Sequence, residues 1–268
     1  MSTNRRRRGA SLPARAACVA AVLLLPALAS NQVLAGEVVR WRVVPYAWAA
    51  GVDGELEHAR LPLTLHPRAT FGDVLENLDA AGMLAIEAQG ERFGVWADAL
   101  LADVSKDVRV PIGPYRLPVA ASAQTRTRLI AMQYRLVQGS NRQLDIVLGA
   151  RHWDVDTRFA YQIAAEVPVG PLPRSYSASQ GQSWWDVQVG AKGQYTFDRG
   201  FFVSGLALVG SGGSNLAYDL MLIGGYRIND RVAWFVGYRR MDVDFRTAQG
   251  FAFDAALHGP GIGLELQF

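Results

Sequence analysis

Hydrophobic and polar residues alternate along much of this chain. From Ile262 to Phe268, Ile262, Leu264, Leu266 and Phe268 fall on one parity and Gly263, Glu265 and Gln267 on the other. Side chains in a strand repeat every two residues, so such a segment has one face suited to hydrocarbon and one suited to water. The same design surrounds Trp185: Val187, Val189, Ala191, Tyr195 and Phe197 share its parity, whereas Asp186, Gln188, Lys192, Gln194 and Thr196 take the other. Farther on, Tyr218, Leu220, Leu222 and Tyr226 oppose Asp219, Gly225 and Arg227. Ten segments of strand character are expected, near 38 to 49, 82 to 90, 93 to 105, 125 to 138, 143 to 157, 184 to 198, 200 to 210, 215 to 228, 231 to 245 and 257 to 268.

The links between these segments sort by order. After the second, fourth, sixth and eighth segments come tight turns: Gly90-Glu91-Arg92, Gly139-Ser140-Asn141, Asp198-Arg199-Gly200 and Asn229-Asp230. After the odd segments come generally longer links, near 50 to 81, 106 to 124 and 158 to 183, with shorter ones at Gly210-Gly213 and 246 to 256. A Greek-key sandwich has no reason to sort its loops in this way. A membrane barrel has: tight turns lie on the periplasmic side and larger loops outside. The expected fold is therefore all-β, a transmembrane antiparallel up-and-down barrel of ten strands, with eight strands as the variant. In the first long link, Phe71, Val74, Leu75 and Leu78 stand at helical spacing and predict a short helix, with Thr70 or Asp73 as its cap. Such a helix serves as packing at the barrel mouth, as a constriction or as a lid.

The N-terminus adds an export signal. Arg5, Arg6, Arg7, Arg8 and Arg15 precede an apolar run from Ala16 to Ala29, the layout of a secretory signal peptide. Cleavage is expected after 29 and at the latest after 35, which leaves 36 to 268 as the barrel domain. Five of the 27 basic residues and none of the 24 acidic ones lie in the first 35 positions. The remainder then carries 22 basic and 24 acidic residues, a net charge of −2, so the basic balance of the whole chain says nothing for nucleic acid. Cys18, the one cysteine, falls in the same segment, which leaves no thiol chemistry in the barrel. Half the residues are hydrophobic, yet beyond the signal no apolar run is long enough to cross a membrane as a helix.

Parity also assigns the lumen. Arg40, Arg42, Glu87, Asp98, Arg135, Arg151, Asp186, Lys192, Asp219, Arg227, Arg239 and Glu265 are expected to point inward, seven basic and five acidic. Two readings follow. The groups pair across a narrow interior, since charges removed from water need partners, or they line a pore whose small positive excess favours anions. An internal echo, Gly149-Ala150-Arg151-His152-Trp153-Asp154-Val155-Asp156 beside Gly237-Tyr238-Arg239-Arg240-Met241-Asp242-Val243-Asp244, puts Arg151 and Arg239 inward at similar heights and the four aspartates outward near the outer rim.

Catalytic signals are sparse. None of His58, His66, His152 and His258 stands beside a serine in a nucleophile-elbow pattern, and His58 and His66 lack metal-ligand spacing. A rim site combining His152 or His258 with Asp154, Asp156, Asp242 or Asp244 would be able to activate water. The same aspartates equally serve as solvated groups or as bridges through divalent ions to lipopolysaccharide. No phosphate loop, cofactor motif or metal cluster is expected.

These residues resemble the small outer-membrane β-barrels of Gram-negative bacteria, of the OmpA and opacity-protein type. More narrowly they resemble an envelope-barrel family with Trp-x-x-x-Pro-Tyr (Trp41 to Tyr46), Phe-Gly-Asp-x-Leu-x-Asn-Leu (Phe71 to Leu78), Gly-x-Arg-x-Trp-Asp-x-Asp (Gly149 to Asp156), Gly-Tyr-Arg (Gly237 to Arg239) and Leu-His-Gly-Pro (Leu257 to Pro260). The resemblance implies an outer-membrane location, contact with membrane lipid and lipopolysaccharide, and a final strand whose Leu264, Leu266 and Phe268 form a signal for the barrel-assembly machinery. The expected function is non-enzymatic: a structural barrel or narrow small-solute pore. The alternative is a surface adhesin or ligand-binding barrel acting through its long loops, and an outer-membrane hydrolase comes after both.

Overall fold

Neighbouring segments of alternating polarity pair along their whole lengths, and the last returns to the first. The structure, a computed structural model, describes residues 39–57, 64–65, 68–69, 71–76, 78–112, 115–163, 174–247 and 252–268. The expected export segment lies outside the described residues. The first stave of the barrel is β1 (Arg40–Trp48), which resumes after Ala49 and Ala50 as β2 (Gly51–Glu57). Two short strands, β3 (Thr64–Leu65) and β4 (Arg68–Ala69), fold back onto β2. A six-residue helix, α1 (Phe71–Glu76), lies beside β2 and β4; the packing of its apolar stripe falls outside the described residues.

The remaining staves follow in order. They are β5 (Leu78–Gln89), β6 (Phe93–Ile112), β7 (Tyr115–Gln138), β8 (Arg142–Gln162), β9 (Ser175–Thr196), β10 (Phe201–Gly212), β11 (Leu216–Arg227), β12 (Val232–Arg246) and β13 (Ala252–Gln267). Each pairs antiparallel with its sequence neighbour. The β13 strand returns to the first stave, with Val43 opposite Leu266 and Trp48 opposite Gly261, while β2 continues the seam from Gly51 opposite His258. Backbone bonds from Trp41 to Phe268 (3.2 Å) and back (2.9 Å) finish the closure. Counting β1 with β2, the barrel has ten staves. The break between β1 and β2 lies opposite Gly259 and Pro260, where proline has no N–H to give the ladder.

Tight turns join one end. At Asp198–Gly200 the chain makes a 3-10 turn with Arg199 at φ 66° and Gly200 at φ 85°, and Gly200 takes that left-handed backbone without a Cβ penalty. Around the middle of the barrel the outer face is apolar. Ile130, Met132, Leu148, Val187 and Leu222 are exposed there, Met132 and Val187 at 61% and Leu222 at 62%. Aromatic residues border this band, Phe93, Trp41, Tyr195, Phe197 and Phe201 toward the tight turns and Trp185 and Tyr238 toward the other end, the arrangement of interfacial girdles.

Strand length departs from the sequence reading. The links expected at 106 to 124 and 158 to 183 are largely strand: β6 runs 20 residues, β7 24, β8 21 and β9 22, against 12 for β10 and 12 for β11. A bilayer needs only about 9–11 residues per strand, so β6 to β9 continue well past the apolar band. There the outer face turns polar, with Asp103, Gln124, Arg126, Asp154, Asp156 and Arg158 along it. The inner face turns apolar, with Leu100, Trp153, Val155 and Phe159 buried. Pro111, Pro118 and many alanines blur the alternation in this stretch, and pairing with a neighbour decides the strand instead.

Candidate functional site

The inner face of the barrel is a stack of three layers. The middle layer is ionic. Asp219 on β11 receives Arg151 from β8 (Nη2–Oδ2 2.6 Å) and Arg239 from β12 (Nε–Oδ1 2.9 Å and Nη2–Oδ2 2.7 Å). Arg239 also reaches Asp98 on β6 (2.8 Å) and donates to the Tyr46 hydroxyl (2.9 Å), which in turn donates to Asp98 (2.7 Å). The two halves of the internal echo thus meet at one carboxylate from opposite parts of the wall. Arg151 also donates to Gln188 (3.2 Å), and its guanidinium lies 5.8 Å from the Trp153 ring. Asp186 accepts from the Trp184 indole (3.2 Å) and the Ser214 backbone (2.8 Å). Arg151, Asp186 and Asp219 are fully buried.

Above it, away from the tight turns, lies an apolar layer. Trp184 stacks on Phe245 with ring centroids 3.8 Å apart and on Trp153 at 5.9 Å. Trp48, Met241, Val155 and Val243 complete the same cluster. Trp48 also stands 5.4 Å from the Arg239 guanidinium and donates its indole N–H to the Gly259 carbonyl (3.1 Å). These side chains belong to the strand parity that carries the charges one turn of the pleat lower, so the interior changes from ionic to apolar without any change of face.

Below lies a hydrophilic layer near the tight turns. Lys192 pairs with Glu87 (2.9 Å), and Gln133 donates to the other Glu87 oxygen (2.6 Å). Arg42 sits 3.5 Å from both Glu87 and Glu265, and Arg227 sits 3.9 Å from Glu265. Arg135 makes a two-pronged pair with Asp145, at 2.8 and 3.3 Å. The twelve residues assigned inward by parity lie on the strand parity of this inner wall, with Arg40 exposed and Arg227 half-buried at its mouth. Asp145 belongs with them and is absent from that set, although its parity, opposite Ile146 and Leu148, marks it inward. Tyr46, Gln133 and Gln188 are also members: pairing of β8 with β9 brings Gln188 to Arg151, the run of β5, β6 and β7 brings Gln133 to Glu87, and closure through β13 brings Tyr46 to Arg239.

At the rim the four aspartates lie beside arginines. Arg126 lies 3.7 Å from Asp154 and 3.9 Å from Asp156, Arg240 pairs with Asp242 at 2.8 Å, and Arg246 pairs with Asp244 at 3.0 Å. His152 lies against Trp185, ring centroids 4.8 Å apart. His258 instead joins Asp53 (Nε2–Oδ2 3.0 Å) and the Tyr238 hydroxyl (2.9 Å) on the outer surface. His58 and His66 lie outside the described residues.

No family model matches the chain, and no curated protein matches it. Solved structures do. The outer-membrane protease OmpT of Escherichia coli superposes with a TM-score of 0.58 at 11% identity, covering 86% of this chain and 97% of that one. Ail, the attachment invasion locus protein of Yersinia pestis, covers 86% and 98% at 9% identity with a TM-score of 0.35. The translocator domain of the autotransporter NalP from Neisseria meningitidis covers 85% and 88% at 10% identity with a TM-score of 0.42. The OmpT superposition supports a shared barrel fold, and at that identity it speaks to fold alone.

Proposed function

We propose that this protein is a non-enzymatic outer-membrane barrel with a closed lumen, working from the surface presented by its long strands β6 to β9. The observation that carries this reading is the filled interior. The ionic layer around Asp219 and the Trp184–Phe245 layer above it lie one on the other, with Arg151, Asp219 and Trp153 each at or below 1% exposure. Opening a path would require parting buried ion pairs, an unfavourable step in a low-dielectric interior. The apolar outer band with its aromatic borders supports the outer-membrane location, and the resemblance to small outer-membrane barrels of Gram-negative bacteria agrees with it. Lipid and lipopolysaccharide would then surround the band, and Leu264, Leu266 and Phe268 would serve the assembly machinery.

The membrane-embedded half acts as an anchor in this reading. The polar outer face of β6 to β9 is the part available to a surface ligand. The pore reading requires the two upper layers to move, and among the described residues the hydrolase reading draws on the exposed Tyr238, His258 and Asp53 chain. Planar-bilayer recording on the refolded protein separates these. The expected result is no steady conductance from a preparation that migrates as a folded, heat-modifiable band. Steady conductance that Arg239→Ala alters would overturn the closed-lumen reading in favour of a pore.

A further inference from the structure

The hydrophilic layer near the tight turns opens into a cavity of about 210 Å³. Its lining carries five arginines, Arg40, Arg42, Arg135, Arg142 and Arg227, and one carboxylate, Glu87. Arg135 is balanced by Asp145 behind it. Arg42, Lys192 and Arg227 share two carboxylates between them, Glu87 and Glu265. Among the described residues Arg40 and Arg142 have no carboxylate partner. The vestibule therefore holds a surplus of positive charge. The ionic layer above leans the other way: Arg151 and Arg239 pair with Asp98 and Asp219, and Asp186 stands opposite Arg151 in the β8–β9 register. Charge is sorted along the axis of the barrel, which a lumen built only to neutralise itself does not need.

A recess that carries an excess of one sign of charge concentrates counter-ions. Guanidinium forks match the oxygens of phosphate and carboxylate two at a time. The recess is smaller than the ~300 Å³ at which sites for drug-sized ligands begin, so it suits a compact ion. Glutamines around the mouth, among them Gln138 and Gln143, add neutral donors. From these observations we infer that the vestibule is a binding site for a small multivalent oxyanion entering from the tight-turn side, the periplasmic side in barrels of this kind. The site is independent of whether the lumen conducts.

The test is titration calorimetry of the full-length, detergent-folded protein with inorganic pyrophosphate and, separately, citrate. The expected result is saturable binding of one equivalent of at least one probe, weakened at least tenfold in the R40A/R142A double variant and by added salt. The stronger probe tells phosphate from carboxylate chemistry. Absence of binding by either probe, or binding by the double variant within twofold of wild type, overturns the proposal. Because that variant tests folding as well, wild-type protein is also treated with phenylglyoxal and mapped by mass spectrometry. Protection of Arg40 and Arg142 by the bound probe, and not by chloride at equal ionic strength, supports the site; equal modification with and without the probe defeats it.

Discussion

Asp219 holds the centre of the barrel. It is fully buried and accepts from two arginines at distances between 2.6 and 2.9 Å. Removing it would leave Arg151 and Arg239 charged in a space closed to water, and breaking a buried pair from one side costs about 3–5 kcal/mol. Asp219→Ala is therefore expected to lower stability by an amount of that order, read from tryptophan fluorescence during urea unfolding in lipid vesicles; an unchanged midpoint would remove Asp219 from this role. The inward aim of Asp219, Arg151 and Arg239 was legible from parity, because Leu220, Ala150 and Tyr238 on either side belong to the outer face. The pairing of Arg151 with Asp219 was not. It depends on which strands stand across the lumen from one another, and alternation within a strand carries no information on that.

At the scale of elements, the long strands β6 to β9 matter most. Their lower halves alternate strongly, with Ile130, Met132 and Leu148 outward against Leu129, Ala131 and Val147 inward. Their upper halves keep the same parity with the polarities exchanged: Trp153 and Val155 inward, Asp154 and Asp156 outward. A pattern reading that seeks hydrocarbon on one face stops where that exchange occurs, and so it takes the extension for loop. The extension should be separable from the anchor. Lys106 and Ala121 are directly paired across β6 and β7, so residues 107–120 can be replaced by Asn-Gly, a two-residue hairpin turn. The shortened protein is expected to retain its folded, heat-modifiable band. Loss of that band would mean that the extension is required for the barrel, contrary to the anchor-and-surface reading.

For the whole molecule, closure by β13 against the first stave sets the ring, and Phe268 sits at its edge with an exposed ring and paired backbone. If that ring is read during assembly, Phe268→Ala is expected to lower the amount of barrel in outer-membrane fractions several-fold while purified protein still refolds in detergent. Equal amounts in the membrane would show that the aromatic is dispensable. The sequence by itself determined the class of fold, the number of staves, the faces of the charged residues and the end that bears the tight turns. A strand's period of two and the φ and ψ demands of turns are local, and they act wherever the strand lies. Only the tertiary structure decided that the lumen is filled, that one carboxylate joins the two halves of the internal echo, and that positive charge collects in a vestibule. Those outcomes depend on distances across the ring, which are set by how many staves close it and by how far indole and guanidinium groups reach toward its axis.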